Sequence, residues 1–270
     1  MTQHAVATPA VGAVTRLLGA LIPRYELLVA FVRREVGIRY KEAYVGVAWA
    51  VLQPLAYAAI FTVLFARIAR LPGSGPLEAY VALVPWTFAS TAIAQGSQSI
   101  LNQLSVVSKI YFPREVLPLS AIVAAGLDAL IAFALQLVLQ VLLGAGLPRT
   151  LLLWPLLMLL AAALCLGITL LVAPAVVRFR DLRYVIPFGL QLLLLASPIG
   201  YPLEAVPPGL RGWYRVNPFA GLMDAFRAIG LRGEVPPLVD LWPAALWAAG
   251  LVALGVAYFR AQQATLADYL

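Results

Sequence analysis

The chain has 270 residues, of which 63% are hydrophobic and only 11% charged, with a formal net charge of +7. Soluble domains carry about 25% charged residues, so this composition excludes an ordinary soluble domain and is typical of a polytopic membrane protein. The basic residues are spread through short loops instead of forming one patch, which argues against a nucleic-acid partner. One cysteine, Cys165, excludes a disulfide within a single chain.

The N-terminal part has two predicted segments. Residues 1–22 show no clear periodicity and remain an unassigned tail. Residues 23–42 predict an amphipathic helix on the cytoplasmic membrane surface, with the start of the first span as the alternative. Its apolar residues fall at helical spacing on one face: Tyr25, Leu28, Val29, Val32 and Val36.

Six apolar runs are predicted to cross the membrane, since about 20 apolar residues span the hydrocarbon core. They are residues 44–66, 77–100, 116–143, 151–177, 185–199 and 241–259. The fifth run is the shortest of the six. The expected fold is therefore an all-α polytopic membrane protein, with one transmembrane domain over 43–260 and a cytoplasmic tail over 261–270.

Basic residues predict the orientation of these runs. Six spans place both termini on the same side, and short cytoplasmic loops carry an excess of Lys and Arg. With the termini in the cytoplasm, twelve of the 19 basic residues lie on the cytoplasmic side. They are Arg16, Arg24, Arg33, Arg34, Arg39, Lys41, Lys109, Arg114, Arg178, Arg180, Arg183 and Arg260.

The segment 200–240 is predicted to lie outside, between the fifth and sixth runs. Asn217-Pro218 reads as an N-cap followed by a first-turn proline, and Gly230 as the helix stop. Asp224 and Arg227 are expected on the face opposite the apolar residues. The short helix is either re-entrant, as in cavity-lining broken elements, or a simple interfacial anchor. Its apolar residues are Phe219, Leu222, Met223, Phe226 and Ile229.

A charged elbow over 105–115 joins the second and third runs. Pro113 cannot continue an incoming helix, but it can open a new one. Glu115 then falls near the start of that helix, where the macrodipole favours an acid. An ordinary loop between two spans would have the same features.

Asp128 is the one acidic residue well inside a predicted span. Intramembrane acids are functional candidates by default. The alternative, which we favour, is that Asp128 hydrogen-bonds Gln95 or Gln98 of the neighbouring span and holds two helices together. The chain has no P-loop, no H-E-x-x-H motif and no Cys–His pair, so we expect neither catalysis nor a cofactor or metal bound by this chain.

Aromatic residues repeat every four positions along the first run. Tyr57, Phe61 and Phe65 therefore stay on one side of a helix, with Trp49 lower on the same run. Sugars have C–H faces that stack on aromatic rings, so such a face would guide a glycan, and Tyr201 beside the fifth run is a further candidate. Core packing is the alternative for each ring.

Five stretches of the chain resemble one transporter family. The elbow string KIYFPREVLPLS, residues 109–120, is similar to the cytoplasmic elbow of the permease subunits of ABC exporters for O-antigen or teichoic-acid polysaccharide. The other stretches occur in the family's order. They are RYKEAYVGVAWAVLQPL (39–55), VPWTFAS (84–90), FRDLRYVIPFGLQLLLLASPIGYP (179–202) and VNPFAGLMDAFRAI (216–229).

The resemblance implies a bacterial inner-membrane permease that acts as a homodimer. Each subunit would bind a separate cytoplasmic ATPase, which holds MgATP, and a lipid-linked polysaccharide would leave through a channel at the dimer interface, surrounded by membrane lipids. The elbow residues that would contact the ATPase are Lys109, Ile110, Tyr111, Phe112, Pro113, Arg114 and Glu115.

Two other functions remain open. One is an ABC permease for small lipophilic compounds or drugs, which needs no continuous channel. The other is a membrane-embedded glycosyl- or acyltransferase, which the near absence of histidine disfavours. An ATPase gene among neighbouring glycosyltransferase genes would favour polysaccharide export.

Overall fold

The computed structural model describes residues 25–40, 48–71, 75–107, 112–201 and 205–268, and all regular structure within these ranges is helical. The prediction of an α-helical, multi-pass membrane protein is confirmed at this level. The predicted N-terminal tail lies outside the described residues.

Nine α-helices of nine or more residues form most of the described part of the chain. They are α1 (Tyr25–Tyr40), α2 (Trp49–Phe61, continued as a π-helix over Thr62–Ile68), α3 (Pro76–Gln98), α4 (Val116–Leu142), α5 (Trp154–Arg178), α6 (Leu182–Ala196), α7 (Pro208–Val216), α8 (Pro218–Arg227, continued as a π-helix over Ala228–Arg232) and α9 (Leu238–Asp268). A short turn, Arg149–Leu153, leads into α5.

Five of these helices are long and apolar enough to cross a membrane: α2, α3, α4, α5 and the first part of α9. Helix α6, the predicted fifth span, has 15 residues. At 1.5 Å per residue it reaches about 22 Å, short of the roughly 30 Å hydrocarbon core. A sixth crossing therefore stays a prediction. Helix α9 continues to Asp268, so the predicted tail is helical over 261–268.

Helix α3 lies at the centre of the bundle. Two thirds (67%) of its most apolar window is buried, whereas only 17% of the corresponding window of α2 is buried. Tyr80, Leu83 and Val84 of α3 have almost no exposed surface, because α2, α4, α5 and α8 all pack around this helix. Helix α2 therefore has a large outward face of apolar side chains.

The most extensive helix contact joins α5 and α9, and two glycines make it close. A Cβ atom on Gly167 would lie 2.6 Å from the backbone of Leu251, and one on Gly255 would lie 2.8 Å from the carbonyl oxygen of Gly167. Small residues let membrane helices approach in this way. The contact anchors the last span against the centre of the bundle.

Helix α8 starts as predicted but ends later. The side chain of Asn217 accepts a hydrogen bond from the backbone N–H of Phe219 at 3.0 Å, so Asn217 is the N-cap. The predicted stop at Gly230 is wrong. The π-helical turn runs through Gly230 to Arg232 and ends at Gly233, whose positive φ of 68° suits glycine.

The predicted outward position of Arg227 is also wrong. Arg227 is 4% exposed. Its guanidinium donates a hydrogen bond to the carbonyl of Pro198 at 2.7 Å and also donates to the carbonyls of Ile199 and Glu78. Carbonyls that follow the end of α6 have no partner within that helix, so a buried charged donor is stabilised there. Asp224 stays at the surface and pairs with Arg232 at 2.9 Å.

Candidate functional site

Two adjoining cavities form a groove along α2. The first, of about 220 Å³, lies between α1, α2, α3 and α4, and the second, of about 240 Å³, lies between α2, α3 and α6. Gln53, Thr91 and Gln95 line both cavities, so the two cavities lie side by side. Amide and hydroxyl groups inside a membrane bundle indicate a path for a polar substrate.

A charged cluster closes one side of the first cavity. The guanidinium of Arg39, at the end of α1, donates to the carboxylate of Asp128 and to the side-chain carbonyl of Gln95. The hydroxyl of Tyr40 donates to the other carboxylate oxygen of Asp128. The cluster therefore ties α1 to both α3 and α4.

The cluster is largely removed from solvent. The side chains of Arg39 and Asp128 are 17% and 18% exposed. Burial, followed by the hydrogen bond to Asp128, raises the pKa of Tyr40 to about 12. Tyr40 therefore remains a hydrogen-bond donor throughout the physiological pH range. The opposite charges of Arg39 and Asp128 cancel within the cluster.

The predicted partners of Asp128 were wrong in one respect. Its direct partners are Arg39 and Tyr40, and Gln95 joins only through the shared guanidinium. Gln98 instead donates to the carbonyl of Ala94 in its own helix. The sequence analysis places Arg39 only among the cytoplasmic basic residues. The missed signal is a basic residue in the amphipathic segment of a chain with one acid well inside a predicted span.

The inward face of α1 also differs from the predicted one. Phe31 is 6% exposed and lies 5.3 Å, ring to ring, from Phe112, whereas Tyr25 and Val29 are 63% and 40% exposed. The guanidinium of Arg34 donates a hydrogen bond, at 3.4 Å, to the side-chain carbonyl of Gln103, a residue that follows the end of α3. Tyr25 and Val29 of the predicted apolar stripe therefore face outward, whereas Leu28 of the same stripe packs partly against the bundle beside Phe31.

The predicted coupling elbow is described only in part. Lys109, Ile110 and Tyr111 lie outside the described residues, and Phe112 is buried against α1. Pro113 opens a turn, because its carbonyl accepts from the N–H of Val116 at 3.1 Å.

Glu115 precedes the first residue of α4 and is 5% exposed. One of its carboxylate oxygens lies 3.4 Å from Nε of Arg260 on α9. This pairing makes Glu115 a link between the elbow and the last helix. A buried side chain is a poor surface contact, so Arg114, which is half-buried, is the better docking candidate of the two.

The predicted aromatic face forms one continuous row. Ring centroids are 6.4 Å apart between Tyr57 and Phe61, 5.6 Å between Phe61 and Phe65, and 5.2 Å between Phe65 and Tyr201. The hydroxyls of Tyr201 and Tyr214 are 2.9 Å apart.

Part of this aromatic row packs in the hydrophobic core. Phe61 is 5% exposed, and a Cβ atom on Gly200 would lie 2.7 Å from its ring, so Phe61 packs inward. Tyr57 and Phe65 are half-buried, and Tyr57 lines the second cavity. Trp49, 58% exposed, lies on the first cavity and not in the row.

Within the described residues, no group of three or more His, Cys, Asp or Glu side chains is arranged to hold a metal ion. The polar groups of the groove are instead amides, hydroxyls and one neutralised ion pair. Such groups can donate hydrogen bonds to a polar molecule and accept them from it.

Comparisons with known proteins agree with a transport function for relatives of this chain. The chain is 30% identical over 247 residues to the O-antigen export system permease protein RfbA of Myxococcus xanthus, covering 88% of this chain and 95% of the relative. It is 24% identical to the RfbA permease of Klebsiella pneumoniae, over 78% of this chain and 82% of the relative. It is also 24% identical to the polysialic acid transport protein KpsM of Escherichia coli, over 85% of this chain and 91% of the relative.

The family model described as ABC-2 type transporter matches residues 26–231, from α1 through the π-helical turn after α8. The match includes the whole groove, the Arg39 cluster and nearly all of α8 with its π-helical turn. The chain therefore belongs to the ABC-2 type transporter membrane family, as a homologue of O-antigen and polysialic acid export permeases.

Proposed function

We propose that this chain is the membrane-spanning subunit of an ATP-driven exporter that moves a lipid-linked, O-antigen-like polysaccharide outward across the bacterial inner membrane. Two copies form the channel, and each copy binds one cytoplasmic ATPase that holds MgATP. Both termini lie in the cytoplasm. One observation carries the proposal: the named relatives, matched over 78–88% of this chain, are permeases or transport proteins for surface polysaccharides.

The groove supports a glycan as the cargo. A sugar chain exposes both hydroxyl groups and C–H faces, and the groove offers amide and hydroxyl groups next to aromatic rings. Stacking of nucleic-acid bases on aromatic side chains, worth about 1–3 kcal/mol per base, is the nearest analogue. Weak, repeated contacts of this kind suit a polymer that must keep moving.

The outward face of α2 supports a dimer. Only 17% of its most apolar window is buried within one subunit, although this helix carries the aromatic row. A second copy packed on this face would enclose the groove and cover Ile60 and Val63, which are 57% and 55% exposed. The channel would then be completed by two equivalent faces.

The elbow supports coupling to an ATPase. Its buried parts, Phe112 and Glu115, connect it to α1 and α9, so a force on the elbow reaches both helices. Arg114 and residues 109–111 are the part of the elbow on which the ATPase would act. Movement of the elbow during ATP hydrolysis would be passed through Phe112 and Glu115 to the helices around the groove.

Deletion of the gene in the host, followed by complementation, tests the proposal. We expect surface polysaccharide to disappear while the lipid-linked polymer accumulates inside, and both to recover with the wild-type gene. Unchanged surface glycan with increased sensitivity to lipophilic drugs would favour the drug-export alternative. A glycan of altered chemical structure at normal abundance would favour a transferase.

A further inference from the structure

The first cavity combines polar groups from four helices with a net charge of zero. Arg39 and Tyr40 come from α1, Gln53 from α2, Gln95 from α3 and Asp128 from α4. Such convergence is expected of a site for a polar ligand and not of a lipid-facing crevice. The question is which part of a lipid-linked glycan such a site would hold.

We propose that this cavity is a binding subsite for one uncharged sugar unit, held through its hydroxyl groups, and is not a site for the phosphate of the lipid. The proposal rests on the proposed export function and adds to it a specific subsite within one subunit. It places the first recognition of the sugar next to the junction of α1 with the spans.

The charge of the cluster favours a sugar over a phosphate. Phosphate sites present unneutralised arginines or lysines. Here the guanidinium of Arg39 is already bound to the carboxylate of Asp128, with Tyr40 on the other oxygen. A phosphate would have to displace Asp128 and would leave two anions side by side in a poorly solvated place. An uncharged polyol avoids this repulsion.

The hydrogen-bonding groups match a polyol, which both donates and accepts. Within the described residues, Gln53 and Thr91 make no side-chain hydrogen bond, so their amide and hydroxyl groups remain for a ligand. Gln95 uses its carbonyl to accept from Arg39, which leaves its amide N–H groups as donors. The ion pair therefore orients a neighbouring amide whose other end is available to the sugar.

Size and ring placement agree with a single sugar unit. The cavity of about 220 Å³ is smaller than the roughly 300–1,000 Å³ of sites for drug-sized ligands. Trp49 lines it and is 58% exposed, so its ring is available to the C–H face of a sugar. The second cavity, reached through Gln53 and Thr91, would receive the next unit.

The test uses the permease–ATPase complex in phosphatidylcholine nanodiscs, titrated with the dephosphorylated oligosaccharide repeat of the host glycan. The variants are Gln53→Leu and Trp49→Leu, which leave the ion pair intact. The matched controls are Gln98→Leu and Trp242→Leu. Native Gln98 hydrogen-bonds within its own helix, and native Trp242 on α9 is 57% exposed. We expect Kd to rise about tenfold in each cavity variant and to stay unchanged in the controls.

Surface glycan is measured in cells that carry the same variants. Elution volumes and unfolding temperatures equal to those of the wild-type protein confirm that the variants fold. Reduced binding and reduced export in the cavity variants alone would support the subsite. Wild-type binding and export in those variants would overturn it and leave the proposed function standing. Binding of inorganic pyrophosphate that depends on Arg39, with no oligosaccharide binding, would also overturn it, in favour of a phosphate site. If gene deletion left export intact, the proposed function itself would fail.

Discussion

Arg39, which is half-buried, and Arg227, which is buried, hold opposite ends of the bundle in different ways. Arg39 binds side chains, a carboxylate and an amide from two helices, beside a cavity. Arg227 binds the backbone carbonyls of Glu78, Pro198 and Ile199 and is 4% exposed. Side chains rotate and exchange partners, whereas backbone carbonyls at a helix end are fixed. The first arrangement suits a part that rearranges around substrate, and the second suits a part that stays in place.

Both arginines join distant segments of the chain. Arg39 lies 89 residues from Asp128, and Arg227 lies 149 residues from Glu78. Arg227, on the short helix α8, also binds the carbonyls of Pro198 and Ile199, which follow the end of the 15-residue α6. One guanidinium thus ties α8 to the start of α3 and to the segment after α6.

Replacing Arg227 should have the largest effect. Arg227→Leu removes a charged donor from three buried carbonyls, and hydrogen bonds to charged groups contribute about 1.5–3 kcal/mol each. We expect little folded protein in the membrane and a clearly lower unfolding temperature in detergent. Arg232→Leu is the control, because its pair with Asp224 is exposed and worth at most about 1 kcal/mol. Equal stability of the two variants would contradict a stabilising role for the hydrogen bonds of Arg227.

The Arg39 pair should tolerate removal of both partners better than of one. Arg39→Leu or Asp128→Leu alone leaves a poorly solvated charge without its opposite charge, and such changes cost about 3–5 kcal/mol in buried pairs. The double change to Arg39→Leu and Asp128→Leu should recover much of the unfolding temperature while export stays low. A double variant as unstable as the two single variants would show that the Arg39 cluster, like Arg227, mainly stabilises the fold.

The aromatic row between the two arginines is expected to have a moderate effect. Tyr57→Leu with Phe65→Leu keeps apolar bulk and leaves the buried Phe61 unchanged. We expect normal membrane insertion and shorter or sparser surface glycan, since about 1–3 kcal/mol of stacking per ring would be lost. The control is Phe61→Leu, which should lower stability through packing. Wild-type glycan in the double variant would make the row a packing feature only.

The orientation of the bundle decides which arginine faces the cytoplasm. The natural cysteine, Cys165, is buried in α5, so it should not react with an impermeant thiol reagent. We expect Asp181→Cys, in the exposed loop between α5 and α6, to be protected in intact cells and labelled after permeabilisation. Glu234→Cys, after α8, should be labelled in intact cells. The reverse pattern would invert the bundle.

Composition and run length were enough to predict the fold class and most helices. Apolar runs reveal spans because each needs about 20 apolar residues, and Asn217-Pro218 marked a helix start through local capping chemistry. These signals depend on neighbours in the sequence. The exact end of α8 was missed because the chain continues as a π-helix through Gly230, which a glycine-stop rule does not foresee.

The candidate site was predicted less well, for a physical reason. Asp128 was recognised as unusual, but its partner Arg39 is brought to it by the packing of α1 on α4, which periodicity does not report. Arg227 was placed on the wrong face because helical spacing predicts a direction and not the presence of unsatisfied carbonyls nearby. Long-range polar pairing depends on tertiary contacts, and the elbow's link from Glu115 to Arg260 is a third example.

Transport in a purified system tests the central proposal most directly. The permease and its ATPase would be reconstituted in proteoliposomes with lipid-linked oligosaccharide, and the appearance of sugar on the opposite leaflet would be followed with an impermeant sugar-specific oxidase. We predict transfer that requires ATP, stops when the P-loop lysine of the ATPase is replaced, and falls with Trp49→Leu but not with Trp242→Leu. ATP-dependent movement of lipophilic dyes without any movement of the oligosaccharide would contradict the proposal.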